Sequence, residues 1–183
     1  MVNPVIFIFS LLFLRATTVV GQTDIDVAAR LINTADSVIL ISHVATQENH
    51  DKPDNLVLPL GMSNDTKPIE FSSFLVGEDI NPAIIVQRRF LTNLDVVELA
   101  KIIQKHVKKS YIGSKPLCFE PHHAILIYKK GRFSYIDLCF HCSDLVTSFD
   151  LQLTNMDFIN GKWEEMKVFF LKHGLSYEIG DNN

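Results

Sequence analysis

Apolar and polar positions fall along this chain in blocks that predict three helices and several strands. Thr23-Asp24-Ile25-Asp26 reads as a capped helix start with carboxylates in its first turn. Val27, Ala28, Leu31 and Ile32 then share one face. Ser37 to Val44 (SVILISHV) is apolar enough for a buried strand. Thr46 to Asp54 is polar and holds Pro53, which predicts a loop. Leu56 to Leu60 reads as a short strand and Ser63 to Lys67 as a turn. Ile69 to Val76 and Ala83 to Arg89 have strand character, with Asn81-Pro82 between them.

The clearest helix starts at Thr92, where Asp95 completes a cap. Leu94, Val97, Leu99, Ile103 and Val107 give it an apolar face at helical spacing. Lys105, Lys108 and Lys109 fall at its C-terminal end, where positive charge suits the helix dipole. They therefore read as a helix terminus rather than a nucleic-acid patch. His123 to Tyr128 and Phe133 to Leu138 predict a hairpin turning at Lys130-Gly131. Leu145 to Leu153 reads as a last strand. Asn160 caps a final helix carrying Trp163, Met166, Val168, Phe169, Phe170 and Leu171, and Gly174 suits its C-terminal stop. No long alternation of strand and helix occurs. The expected fold is one α+β domain, a mostly antiparallel sheet with three packed helices.

The first block does not belong to that fold. Pro4 to Leu14 (PVIFIFSLLFL) is uncharged and eleven residues long. As a helix it spans only about 16 Å, too short for a bilayer core. Small residues follow it, so residues 1–21 read as a secretory signal peptide cleaved near Gly21. The flanks depart from the usual pattern: no Lys or Arg precedes the apolar run, and Arg15 follows it. A retained N-terminal anchor is the competing reading. Cleavage would leave 22–183 as the domain, with no transmembrane span. An exported chain also gives meaning to Asn64-Asp65-Thr66, a glycosylation sequon in form.

Composition narrows the function classes. The 183 residues are 47% hydrophobic and 21% charged, too apolar for a disordered tail. A net charge of -4 argues against a partner held by phosphate attraction. The expected partner is a protein or a small ligand, with no nucleic acid. No GxSxG, HExxH, P-loop or GxGxxG occurs. Ser42-His43 is a local pair without a visible third member.

Reactive side chains concentrate in one stretch, CFEPHHAILIYKKGRFSYIDLCFHC, which holds all three cysteines: Cys118, Cys139 and Cys142. It also holds His122, His123 and His141. A turn at Lys130-Gly131 sets His122 opposite Cys139 and Cys118 opposite Ser143, one place from Cys142. Directly opposed Cβ atoms lie about 4.5–5.5 Å apart. Three readings follow. The first is one disulfide from Cys118 to Cys139 or Cys142, stapling the hairpin base in an oxidising compartment. The second is a zinc site of Cys118, His122, Cys139 and Cys142, with His123 or His141 able to replace His122. The third is thiol redox chemistry at Cys139-Phe140-His141-Cys142, which needs a local feature that favours a thiolate. The chain lacks the thioredoxin pattern: no proline follows Pro121, and too few residues follow Cys142 for the remaining elements.

The segment Cys118-x-x-Pro121-x-His123, followed by the hairpin and Ile136-x-Leu138-Cys139-Phe140-x-Cys142, resembles a motif of small exported bacterial proteins of unassigned function. The likeness covers Pro116 to Cys142 and extends weakly into the helices on either side. His122 stands where that motif has Arg. The resemblance implies export and a structural role for the cysteines, and no activity. The expected function is therefore an exported, non-enzymatic binding or structural domain with a disulfide-stapled hairpin.

Overall fold

The computed structural model describes residues 23–46, 73–105, 119–158 and 161–179. The expected signal peptide, the strand at 56–60, the turn at 63–67, the Asn64 sequon, Val107 to Lys109, Cys118 and Asn160 lie outside these residues. So do most of the loop at 46–54 and the first residues of the strand expected from Ile69.

The hairpin is where sequence dictates structure most directly. β5 (His123–Lys129) and β6 (Arg132–Cys139) pair antiparallel with Lys129 opposite Arg132 and His123 opposite Leu138. That is the register expected from a turn at Lys130-Gly131. Both turn residues take positive φ, 50° at Lys130 and 75° at Gly131, the backbone of a type I′ turn. Asp36 fixes the turn from outside, its carboxylate accepting the Lys130 N–H. β7 (Asp144–Thr147) extends the meander, shorter than the Leu145 to Leu153 strand expected.

β1 (Ser37–His43) joins the other edge of β5 and is itself flanked by β4 (Ile85–Phe90). The sheet order is β4-β1-β5-β6-β7, antiparallel throughout. A separate two-stranded ribbon pairs β2 (Leu75–Val76) with β3 (Asp79–Ile80). Of the strand expected from Ile69, the described part is β strand only over β2. The Ala83 to Arg89 strand begins later, at Ile85, because a 3-10 turn over Pro82–Ile84 intervenes, capped by the Asn81 side chain.

The helices pack on one face of the sheet. In α1 (Asp24–Asn33), Thr23 caps the start and Ile25, Ala28, Ala29 and Ile32 are buried. In α2 (Asn93–Gln104), Thr92 and Asp95 form the expected capping box. Its buried face is Leu99, Ala100 and Ile103, whereas Leu94 is 82% exposed and Val97 is exposed. Helical spacing alone placed those two with the core. In α3 (Lys162–Lys172), Met166, Phe169 and Phe170 are buried, and Val168 and Leu171 face solvent. α3 ends as its sequence indicates. Leu175 N–H bonds the Phe170 carbonyl and Gly174 N–H bonds that of Leu171, with Gly174 at φ 79°. These are the two bonds of a Schellman stop.

The opposite face is covered by the segment leading into β4. Phe74, Ile80 and Ile84 pack there on Ile39, Ile41, Ala124 and Leu126. β1 and β5 are therefore buried on both sides, which explains why their sequences are continuously apolar rather than alternating. Each fully buried phenylalanine, such as Phe74 or Phe170, contributes about 1.5–3 kcal/mol relative to exposure. Three helices, the five-stranded sheet and the ribbon make one α+β domain of the described residues.

Candidate functional site

Chemistry-bearing residues gather where β1 and β6 end and β5 begins. Strand alternation sorts them onto two faces. Ser42 and His123 are paired across β1 and β5, and Gln87 pairs with Ser42 across β1 and β4. These three lie on the helix side. His43, Ala124 and Asp137 lie on the Phe74 side. The register slips between Ser42 and His43, because β4 carries one extra residue there, Val86.

Ser42 and His43, adjacent in sequence, thus belong to different networks. Ser42 Oγ donates to Gln87 Oε1 at 3.1 Å. His43 is fully buried, and its Nε2 lies 3.0 Å from Asp137 Oδ1. The third member that sequence reading lacked for Ser42-His43 is therefore Asp137, but the serine points to the other face and no triad forms. His43 Nδ1 lies 2.8 Å from the Val44 carbonyl, which can only accept, so Nδ1 carries a proton. One further proton is shared between Nε2 and the Asp137 carboxyl. Burial raises the Asp137 pKa, opposed by the hydrogen bond and charge of His43.

His123 faces α3. Its ring sits 4.9 Å from Phe140 and 5.4 Å from Phe170, centroid to centroid. Nε2 has no hydrogen-bond partner. Burial, with the positive charge of His43 and His122 as lesser causes, holds its pKa down to about 3. His123 is a buried ring packed toward α3 and is not among the residues that line the cleft described below.

Outside this core opens a cleft of about 640 Å³. Its lining includes Glu120, His122, His141, Lys167, Tyr177 and Glu178. His122 is held by its ring against Tyr177, centroids 5.8 Å apart, and by Nδ1 3.2 Å from the His43 carbonyl. The Gln87 side chain ties the segment carrying Tyr177 to β4. Gln87 Oε1 accepts the Ser176 and Tyr177 N–H groups, each at 3.0 Å, and Gln87 Nε2 donates to the Gly174 carbonyl at 3.2 Å. A glutamine in mid-strand carried no recognisable motif, and sequence reading missed it. Asp137 left a fainter trace, a carboxylate set among apolar residues in Tyr135-Ile136-Asp137-Leu138.

The cysteines differ from the expected arrangement. The structure joins Cys139 to Cys142, with Cα atoms 5.6 Å apart, rather than either to Cys118. The physical reason is the tight turn from β6 to β7. Cys139 pairs with Asp144 across the ladder, and Ser143 takes φ 51° to close the loop between them. Cys118 lies outside the described residues. The hairpin whose base was expected to be stapled, β5–β6, carries no disulfide among the described residues. With their sulfurs bonded, Cys139 and Cys142 are not thiolates, so the zinc set of Cys118, His122, Cys139 and Cys142 requires the reduced protein. Among the described residues no group of three or more His, Cys, Asp or Glu is placed to hold a metal ion. His141 is exposed at the cleft and His122 is partly buried there, on the same strand-end region as Cys139.

Comparison with known protein families, curated proteins and solved structures finds no match to this chain. Among the described residues no helix is long and apolar enough to cross a membrane.

Proposed function

We propose that the protein is an exported binding domain, without catalytic activity of its own in this role, whose ligand seats in the cleft beside β5 and β6. The observation that carries this reading is the cleft itself. It is about 640 Å³ and is lined by groups of both signs, Lys167 with Glu120 and Glu178, together with His122, His141 and Tyr177. Its position beside a buried His43–Asp137 pair and a Gln87-pinned segment gives it fixed walls, so little ordering cost falls on binding. Walls of both signs fit a small zwitterionic ligand, such as a free amino acid or the end of a peptide. Export is supported by the apolar segment Pro4 to Leu14, the resemblance around Pro116 to Cys142, and a cysteine pair in the bonded form.

The test is amide NMR titration of the mature protein with amino acids and short peptides. Saturable shifts at Tyr177, Glu178 and His141 are expected, and Lys167→Glu should abolish them without altering the rest of the spectrum. If no zwitterionic ligand produces saturable shifts at the cleft, the reading is wrong. Zinc titration of the reduced protein distinguishes the metal-site reading, which predicts stoichiometric uptake and proton release. Intact mass after passage through a secretory pathway reports cleavage near Gly21.

A further inference from the structure

We propose that Cys139 and Cys142 form a thiol–disulfide exchange centre at the turn from β6 to β7, able to oxidise a dithiol that reaches Cys142 there. This inference does not depend on which ligand the cleft binds.

The bond adds little constraint to the fold. Its ring encloses only the loop between β6 and β7. The ladder pairs Cys139 with Asp144 and Leu138 with Leu145, and so already holds that loop closed. A disulfide that staples a fold closes a long loop or joins elements the ladder does not join. This one does neither, so its chemistry is the more informative property.

The two sulfurs are unlike. Cys139 is 2% exposed, whereas Cys142 is partly exposed. The Cys142 main-chain N–H donates to Cys139 Sγ at 3.3 Å. A hydrogen bond to sulfur favours its thiolate, which makes Cys139 the better leaving group. Attack is therefore directed to Cys142, the accessible sulfur. Cys139, Phe140 and His141 line the cleft and Cys142 does not, so the attacked sulfur lies beside the cleft rather than within it.

The exchange balances as follows. A thiolate of the incoming dithiol attacks Cys142 Sγ, forming a mixed disulfide and releasing Cys139 as thiolate. The second substrate thiol, deprotonated, attacks the substrate sulfur of that mixed disulfide and releases Cys142 as thiolate. The substrate leaves with a disulfide, and the protein holds two thiols after taking up two protons and two electrons. A small-molecule disulfide returns it to the oxidised form. Cys142 attacks that molecule, Cys139 displaces the adduct, and two small-molecule thiols depart.

The test uses the full mature chain carrying Cys118→Ser, so that the third thiol does not compete. It is equilibrated with mixtures of reduced and oxidised glutathione, quenched, and read by mass. The Cys139–Cys142 bond should interconvert with the glutathione ratio. In the reduced protein, iodoacetamide should modify Cys142 at least ~10-fold faster than Cys139. Adding Cys139→Ser should leave one glutathione trapped on Cys142. A reduced dithiol peptide should be oxidised catalytically with glutathione disulfide as oxidant. Where Cys139→Ser fails to fold, the alkylation rates of the otherwise intact protein decide. A bond that resists excess reduced glutathione overturns the proposal. So do equal alkylation rates, or a Cys118 partner for either sulfur found by peptide mapping of the natural sequence.

Discussion

His43 on β1 reaches Asp137 on β6 at 3.0 Å across the whole width of β5. Ala124 makes this possible. It lies between Ile41 and Asp137 in the sheet, on the same face, and its single methyl leaves the space a larger side chain would fill. Phe74 closes the space above, its ring centroid 5.3 Å from that of His43. Replacing Asp137 by Ala leaves the buried Nε2 of His43 unpaired and should cost about 3–5 kcal/mol. The double variant His43→Leu, Asp137→Leu leaves neither group unpaired and should be more stable than Asp137→Ala. Urea unfolding measures the difference, with His43→Leu and Asp137→Leu alone completing the cycle for the double variant. Strictly additive costs of the two leucine substitutions would show that the pair is not coupled.

A buried neutral His123 makes the fold acid-sensitive. Its pKa falls from the ordinary 6.5 to about 3 in the folded chain. Between those values the unfolded chain binds a proton that the folded chain does not. Stability is therefore fully present above 6.5 and lost as pH falls toward 3, by about 1.4 kcal/mol per unit. Asp137 works in the opposite sense, since its raised pKa favours the protonated folded form at acid pH. Unfolding free energies of the natural protein and His123→Leu across that range isolate the histidine. The variant should show a shallower acid loss, and an unchanged slope would contradict the assignment.

The hairpin shows how much of the molecule the sequence determines locally. Lys130-Gly131 sets the turn, the turn sets the register, and strand alternation then places His123 and Leu138 on one face. Thr92 with Asp95 and Gly174 likewise mark helix ends through bonds made within a few residues. The partners of His43 and Ser42 are not local. Asp137 lies 94 residues from His43 and Gln87 lies 45 from Ser42, so their meeting depends on the strand order, which no spacing encodes. The cysteine pairing differs for the opposite reason, since its two members are three residues apart in sequence. The β5–β6 ladder alone points toward Cys118, whereas the tight turn after Cys139 brings Cys142 to it. Leu94 and Val97 fell on the wrong side because helical periodicity gives a stripe but not the angle at which the helix docks.

Gln87 should be worth more than its exposure suggests. It accepts from Ser42, Ser176 and Tyr177 and donates to the Gly174 carbonyl. Gln87→Leu removes all four bonds and should cost about 1–3 kcal/mol. The specific signature is hydrogen exchange. The Ser176 and Tyr177 amides should lose protection while those of β5 keep it. Uniform loss across the sheet would indicate a global effect instead.

Lys162 opens α3 with a fully buried ammonium. Its Nζ donates to the Ile103 carbonyl at 2.8 Å and lies 5.3 Å from the Phe158 ring centroid. Burial lowers its pKa from 10.5 to about 8, against the attraction of Asp157 and Glu165. Between those values the unfolded chain holds a proton that the folded chain has released, so stability contributed by this group rises with pH. Lys162→Met should remove that rise while retaining the packing of the stem. Urea midpoints of both proteins on either side of the window check it. A variant with the same alkaline rise would place its origin elsewhere.

β1 lies inside the sheet, flanked on both sides, yet it is the first strand of the described chain. Its neighbours are β4 and β5, so its edges stay unpaired until those later segments have been made. Closing β1 onto β5 joins Ser37 to Tyr128 and Ser42 to His123, contacts of long sequence separation that form slowly. The strand made first thus waits for partners made much later. Until that step the nascent protein carries a continuously apolar segment, Val38 to Ile41, open to the wrong partner.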